Sequence, residues 1–349
     1  MRSKANRNRV AVLVQGSYLA PVSARIPILR FDGVSSVPTT QPLESPPESE
    51  AVAKLTLWEN LSFSVVHGLA AGLLKILSVR GMYAFGRFFG TFEWLFNFRR
   101  RRRFAVALET VLGRRPSASE RRRETLEFFR QSRCDRLFYL IFDCIPNEQA
   151  RGLLIITNRP LLDAAVAQGR GVYVAMAHYG SIHVMGMLLS LNGYKVAGVR
   201  DRKEGALRRY IQRKFDEKHP EFRRARVLFS DSFPRDIYRC LQDGYMLGSA
   251  IDINRIRDPQ QKVDERTLFG QPRYFLTGPL RIALRCRSPI LQGSIIPEPG
   301  FRYRFEIRGL IPNPETVQDE PLAIAAAMDQ YVSNLEDHVR ARPSLMTRI

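Results

Sequence analysis

Two of the chain's five histidines lie within six residues of each other, in the run His178-Tyr-Gly-Ser-Ile-His183. The run follows an apolar stretch, Gly171–Ala177, that is typical of a buried strand, and it leads into a helix predicted at Ser181–Leu191. In α/β sheets, reactive groups collect where strands end and helices begin. A neutral imidazole can act there as a general base, because its pKa lies near working pH. His178 is therefore a candidate catalytic residue, and the alternative is a hydrogen-bonded structural histidine at a strand end.

Three other chemistries do not fit the residues around His178. Histidines five positions apart do not share a helix face, and no HExxH pair is present, which argues against a metal site in this run. Ser181 lacks the GxSxG elbow of serine hydrolases. Gly169-Arg-Gly171 precedes a strand and has Val174 where a dinucleotide-binding loop carries its third glycine. We expect general acid–base chemistry without a metal or redox cofactor.

The segments that must position His178 alternate between strand and helix patterns from about residue 151 onward. Strands are predicted at 152–157, 171–177, 194–199, 226–230, 245–251, 290–296 and 303–308. Helices are predicted at 160–168, 181–191, 205–217, 233–242, 277–287 and about 322–340. An earlier helix should run from the capping box Ser117-Ala-Ser-Glu120 to about Phe142. This order predicts an α/β fold with a mixed, largely parallel sheet covered by helices.

The chain divides by composition into a leader (residues 1–50), an apolar and basic helical segment expected to associate with a membrane (51–103) and the α/β domain (104–349). The leader is rich in Pro, Ser and Glu near its end and cannot bury a core. Asn60–Leu74 is apolar but has only 15 residues, whereas a membrane span needs about 20. A Phe-rich stretch and Arg99–Arg103 follow. This pattern favours a helix lying in a membrane interface, with a buried core helix as the alternative.

The charge of the chain restricts its partners. It has 349 residues, 45% of them hydrophobic, and 54 Lys and Arg against 34 Asp and Glu, a net charge of +20. Residues 75–136 alone carry 16 basic and 6 acidic residues, a net +10. Such a field selects nucleic acid, anionic lipid headgroups or an acidic carrier protein. No nucleic-acid-binding motif stands out, and the apolar segment favours a membrane. Four widely spaced cysteines form no CxxC pair and are expected to be buried free thiols.

Several short motifs in order carry a resemblance to a known family. His178-Tyr179-Gly180-Ser181-Ile182 matches in outline a strand ending in His-Phe/Tyr-Gly-Asn-Trp-Glu, a His-x4-Asp/Glu motif. The further matches are Val199-Arg200, Arg213, Gly244–Asp252, Leu268-Phe-Gly270, Thr277-Gly-Pro279, Ala283 and His338–Met346. With them, residues of about 55–345 resemble the lysophospholipid acyltransferase superfamily, and within it the bacterial lipid A biosynthesis late acyltransferases.

The resemblance implies a function, a location and a set of site residues. These enzymes act at the cytoplasmic face of the bacterial inner membrane and have a glycerolipid acyltransferase-like fold. They move a fatty acyl chain from acyl carrier protein or acyl-CoA to a hydroxyl of a lipid or glycolipid. The implied partners are this donor, this acceptor and an anionic membrane surface, with no nucleic acid. His178 would be the general base, Arg200 and Arg213 would bind phosphate or the acyl donor, and Phe269 and Gly270 would shape the substrate pocket.

One departure from the motif concerns the catalytic pair, because His183 stands where the family has a carboxylate. A carboxylate fixes the tautomer of a catalytic histidine and stabilises its charged form, whereas a second imidazole supplies no negative charge. We therefore keep His183 as a catalytic candidate and add Asp252 and Asp201, which both follow predicted strands, as substitute carboxylates. Asn254 stands near a family Gln. The alternative function is a catalytically degenerate protein of this fold that binds lipid or acyl carrier. A carboxylate within hydrogen-bond distance of His178 would discriminate against it.

Overall fold

The computed structural model describes residues 56–200, 206–219, 225–229, 234–253, 256 and 261–347, apart from the side chain of Arg200. The leader at residues 1–50, Asp201 and Asn254 lie outside the described residues. The α-helices there are α1 (Leu57–Phe96), α2 (Phe98–Leu112), α3 (Ala118–Ile141), α4 (Asn147–Arg151), α5 (Arg159–Ala167), α6 (Ile182–Leu191), α7 (Ala206–Lys218), α8 (Pro234–Gln242), α9 (Gly278–Arg285) and α10 (Glu320–Ala341). The strands are β1 (Leu154–Thr157), β2 (Val172–Met176), β3 (Val196–Arg200), β4 (Arg226–Phe229), β5 (Met246–Ala250), β6 (Asp252–Ile253), β7 (Val263–Leu268), β8 (Gln271–Leu276), β9 (Ile290–Glu298) and β10 (Arg302–Ile311).

Seven strands form the main sheet, in the order β1-β10-β9-β2-β5-β3-β4. Neighbouring strands are parallel except for β9 and β10, which pair antiparallel. Helices separate most of the parallel strands in the chain, as right-handed crossover connections require. The predicted α/β fold with a mixed, largely parallel sheet is confirmed.

A second, three-stranded antiparallel sheet, β6-β8-β7, was not anticipated from the sequence. Its strand β7 has the sequence Val-Asp-Glu-Arg-Thr-Leu, in which four consecutive polar residues leave no apolar run to read. The burial of β7 is intermediate or exposed throughout, and such a strand is defined by its pairing with β8 rather than by a core face.

The core is divided between the two faces of the main sheet, and β2 lies at its centre. Val172, Val174 and Met176 point into one hydrophobic cluster, with α3 and α6, while Tyr173 and Ala175 point into the other, with α9 and α10. Every residue of β2 is buried because both faces are covered. This burial fixes the strand that carries His178 at its end.

Helix α1 is longer than the sequence pattern indicated. Thr56 and Glu59 form a capping box at its start, and one helix continues for 40 residues to Phe96, with a break in helical geometry at Ser78. The 15-residue apolar run is thus part of a longer helix. It is the one helix within the described residues that is long and apolar enough to cross a membrane by length and composition, and 6% of its apolar window is buried. The next helix, α2, spans the expected boundary between residues 103 and 104.

Candidate active site

The register of two parallel strands brings His178 and Asp252 together. Met176 of β2 pairs with Ala250 of β5, and each candidate residue lies two positions beyond its strand's member of that pair. The pairing continues past the strand ends, because the Ile251 amide donates to the Met176 carbonyl at 3.0 Å. Both side chains therefore reach the same carboxyl edge of the sheet, where sites of α/β folds collect.

Asp252 holds both the ring and the main chain of His178. His178 Nδ1 lies 2.9 Å from Asp252 Oδ1, and the His178 amide donates to the two carboxylate oxygens at 3.0 and 3.1 Å. An Nδ1–H donated to the carboxylate leaves Nε2 as the basic nitrogen of the ring. The two side chains retain 18% and 25% exposure, so the pair is accessible from solvent. This is the arrangement in which a histidine takes a proton while a carboxylate stabilises its charged form.

The loop after His178 is pinned by distant parts of the chain. Gly180 has a φ of +69°, and a Cβ there would lie 2.1 Å from the Ile295 carbonyl oxygen, so the turn requires glycine. The Gly180 amide donates to the Leu345 carbonyl at 2.9 Å. The Thr347 amide and hydroxyl both donate to the His178 carbonyl, at 3.1 and 2.7 Å. These bonds fix the backbone from which the His178 ring projects.

His183 is directed toward α3, and its contacts are with that helix. It packs edge-on against Tyr139, with ring centroids 5.6 Å apart, and it lies next to the main chain of Asp135. Burial lowers the pKa of His183 to about 4, and the positive charge of Arg208 adds to the effect. The ring is therefore neutral at working pH. The structure brings Asp252, and not His183, to His178.

Asp135 on α3 forms a buried polar cluster next to His183 that the sequence did not single out. Its carboxylate accepts hydrogen bonds from Ser181 Oγ at 2.7 Å and from Gln131 Nε2 at 2.9 Å. Burial raises the pKa of Asp135 to about 6, although both hydrogen bonds act to lower it. Ser181 is thus a partner of Asp135. The spacing of four residues between Gln131 and Asp135 predicts that they are neighbours on one helix face, but the sequence does not indicate that they are buried.

A cavity of about 250 Å³ borders this cluster. Its lining includes Asp135, His183 and Gly180, together with Arg100 and Arg136. Arg100 also stacks over the Phe128 ring at 4.6 Å, which orders its guanidinium beside the cavity. The two arginines give this cavity a basic wall on the side of α2 and α3.

The two arginines predicted to bind substrate differ in what the structure describes. Arg200 ends β3, and its side chain is outside the described residues. Arg213, on α7, donates to Asn60 Oδ1 at 2.9 Å and lies over the Tyr210 ring. The hydrogen bond to Asn60 joins α7 to the start of α1. The substrate-binding role of both arginines stays a prediction.

Phe269 and Gly270 form the two-residue turn between β7 and β8. Both have positive φ, 53° and 73°, as the tight hairpin turns that match strand twist require. The Phe269 amide donates to Glu336 on α10. Phe275 of the same hairpin pairs with Asp252. Gly270 lies five residues before Phe275, so the turn is about 17 Å from the Asp252 pair at the rise of an extended strand. The turn between β7 and β8 accounts for the positive φ of Phe269 and Gly270. Their place in the substrate pocket stays a prediction.

A comparison with known protein families identifies the family of this chain. Residues 58–345 match the model of the bacterial lipid A biosynthesis acyltransferase family. The match covers most of the chain, and the protein belongs to this family. A search of curated proteins finds no match. Family membership supports the general class of lipid acyltransferases and, together with the apolar helix α1, association with a membrane.

Proposed function

We propose that the protein transfers a fatty acyl chain from a thioester, on acyl carrier protein or coenzyme A, to a hydroxyl of a lipid A-like glycolipid. The observation that carries this proposal is the 2.9 Å contact between His178 Nδ1 and Asp252 Oδ1. A degenerate, non-catalytic member would have no need of a carboxylate at that distance. The contact therefore favours the catalytic interpretation over lipid or carrier binding alone.

In the proposed reaction His178 acts as the general base. Its Nε2 takes the proton of the acceptor hydroxyl as the oxygen attacks the thioester carbonyl, and Asp252 stabilises the imidazolium that forms. The tetrahedral intermediate then collapses, the carbon–sulfur bond breaks, and the imidazolium returns the proton to the leaving thiolate. An ester and a free thiol result, so the step needs no metal or redox partner.

The sequence departure at His183 is compensated in this mechanism by a change of element. The family motif places the acid on the helix after the histidine, whereas here it follows the neighbouring strand β5 by two residues. In this chain Asp252 puts an oxygen next to Nδ1, while residue 183 is directed toward α3. A carboxylate that also accepts the His178 amide is held rigidly, which favours catalysis because little reorganisation is required.

The experiment is an acyl-transfer assay on the purified full-length protein with radiolabelled acyl carrier protein and acyl-CoA. A lipid A precursor and a lysophospholipid are offered separately as acceptors. We expect transfer to the glycolipid, reduced about 10²–10⁴-fold in His178→Ala, which lacks the base. Asp252→Asn keeps an acceptor for the His178 amide but loses the charge, and a comparable reduction in kcat is expected.

His183→Gln is the matched variant, because it changes the other histidine of the motif and retains a polar side chain of similar size. We expect it to keep activity within a fewfold of the wild type. Full activity in His178→Ala would remove the proposed base. A loss in His183→Gln equal to that in His178→Ala would instead support the pair of histidines as a catalytic dyad. Transfer to the lysophospholipid alone would overturn the proposed acceptor.

A further inference from the structure

A second histidine–carboxylate cluster, remote in sequence from His178, includes a cysteine. His67 lies on α1, and Asp143 and Cys144 lie in the short 3₁₀ helix, Phe142–Cys144, that follows α3. His67 Nε2 is 2.9 Å from Asp143 Oδ1, and the Cys144 sulfur is 3.7 Å from each of these two atoms. The side chains of His67 and Asp143 are 14% and 7% exposed. Three different metal-binding groups thus converge at the junction of α1 with the body of the protein.

The three distances match one face of a zinc tetrahedron. With zinc bonds of about 2.0–2.1 Å to nitrogen and oxygen and about 2.3 Å to sulfur, the tetrahedral edges are about 3.3 Å for N···O and about 3.5 Å for S···N and S···O. The corresponding distances here are 2.9, 3.7 and 3.7 Å. Each edge differs from the ideal by a few tenths of an ångström, which side-chain rotation can supply. The fourth position of the tetrahedron is left for water.

The charge of the cluster also suits a divalent ion. A neutral imidazole, a carboxylate and a thiolate carry a total charge of −2, which zinc would neutralise in this half-buried place. Burial and the neighbouring Asp143 raise the pKa of the free Cys144 thiol to about 11, so a bound metal would have to displace its proton. Without a metal, the three side chains are hydrogen-bonded to one another. With a metal, all three would become its ligands.

We propose that His67, Asp143 and Cys144 form a zinc site that cross-links α1 to the α/β body. His67 is the eleventh residue of α1, in a helix whose apolar surface is mostly exposed. Zinc would hold this half of α1 in one position relative to α3. The site is separate from His178 and from the proposed reaction. No spacing motif marks it, because His67 and Asp143 are 76 positions apart.

The test uses Co²⁺ as a spectroscopic probe on the full-length protein, stripped with a chelator in detergent. A cobalt–thiolate bond produces a charge-transfer band in the near ultraviolet, and tetrahedral Co²⁺ produces strong visible bands. We expect both bands to saturate at one Co²⁺ per chain and to disappear when Zn²⁺ is added. Cys144→Ser and His67→Asn should abolish the charge-transfer band and the rise in melting temperature produced by Zn²⁺.

Cys286→Ser is the control. Cys286 is another partly buried free thiol, and within the described residues it belongs to no group of metal-binding side chains. It should keep the band and the thermal shift. Circular dichroism of each variant separates loss of the site from loss of the fold, and Cys144→Ala is a second variant if Cys144→Ser unfolds. A wild type without the charge-transfer band, or a band that persists in folded Cys144→Ser, would overturn the proposal.

Discussion

At the scale of single residues, the candidate site depends on two side chains 74 positions apart. Sequence reasoning could select His178 from its place after a buried strand, and Asp252 as one of two substitute acids. It could not measure the distance between them, because that distance is set by the register of β2 against β5. The same limit applies to His183, whose direction toward α3 follows from the packing of α6 and not from its place in the motif.

Asp135 and His183 are expected to give the stability of the fold opposite dependences on pH. The folded-state pKa of Asp135, about 6, is above its ordinary value of 3.8, so this group destabilises the fold as pH rises through that window. The folded-state pKa of His183, about 4, is below its ordinary 6.5. The free energy of unfolding therefore decreases as pH falls from 6.5 toward 4, because the unfolded state takes up the proton first. Each titration changes the free energy of unfolding by an amount on the order of 3 kcal/mol, at 1.36 kcal/mol per pKa unit. The two changes have opposite signs and largely cancel between pH 4 and 6.

Single variants should reveal the two slopes. In Asp135→Asn the free energy of unfolding should increase more steeply with pH between 4 and 6 than in the wild type. In His183→Gln it should decrease with pH over the same range. Urea unfolding at a series of pH values measures both slopes, with Glu148→Gln, an exposed acid on α4, as control. Parallel curves for the wild type and both variants would contradict the shifted pKa values.

At the scale of elements, α1 and α3 pack closely because α1 presents glycines to its partner. A Cβ on Gly90 would lie 2.4 Å from Arg130 Cα and 2.8 Å from the Phe129 carbonyl oxygen. A Cβ on Gly86 would meet Cys134 Sγ at 3.1 Å. Glycines four positions apart on one helix face are a known means of bringing two helix backbones together. The sequence showed both glycines but not which helix they would meet.

This packing predicts opposite effects for two glycine-to-alanine changes in the same helix. Gly90→Ala should destabilise the protein by about 1–3 kcal/mol, because the clash is with backbone atoms that cannot move aside. Gly72→Ala places its methyl group where nothing lies within 4 Å, and it should stabilise α1 by up to about 1 kcal/mol. Urea unfolding in detergent measures both. Equal effects of the two changes would show that α1 does not pack on α3 at Gly90.

At the scale of the whole molecule, α1 carries a series of exposed apolar residues, and exposed basic residues follow on α2. Along α1 the large exposed side chains are Leu57, Trp58, Leu61, Val65, Val66, Leu69, Ile76, Phe88, Phe89, Phe92, Leu95 and Phe96. Arg99, Arg102 and Arg103 of α2 come next and are also exposed. An apolar surface of this extent bordered by arginines suits an anionic bilayer, and the sequence had already indicated it. The hydropathy pattern predicted two apolar stretches instead of one long helix, because Lys75 and Arg80 interrupt the run of apolar residues.

Membrane binding should depend on the apolar residues of α1. We expect the triple variant Phe88→Ser, Phe92→Ser, Phe96→Ser to bind anionic vesicles at least about tenfold more weakly, since each Phe loses apolar burial in the lipid. Vesicle flotation at low and high salt measures the affinity. The matched control changes three exposed apolar residues of other helices, Val166, Tyr238 and Leu322, to Ser. Equal weakening in both triple variants would contradict a membrane-binding role of α1.

The hydrogen bonds between the loop after His178 and residues Leu345 and Thr347 can form only after the C-terminal residues have been synthesised. Thr347 follows His178 by 169 positions, and at 5–20 residues per second a ribosome needs roughly 10–30 s to cover that interval. Throughout that interval the nascent chain already exposes its apolar first helix to the bilayer. With the proposed membrane binding of α1, attachment to lipid would precede completion of the loop after His178, and each newly made molecule would be anchored before its proposed site is complete.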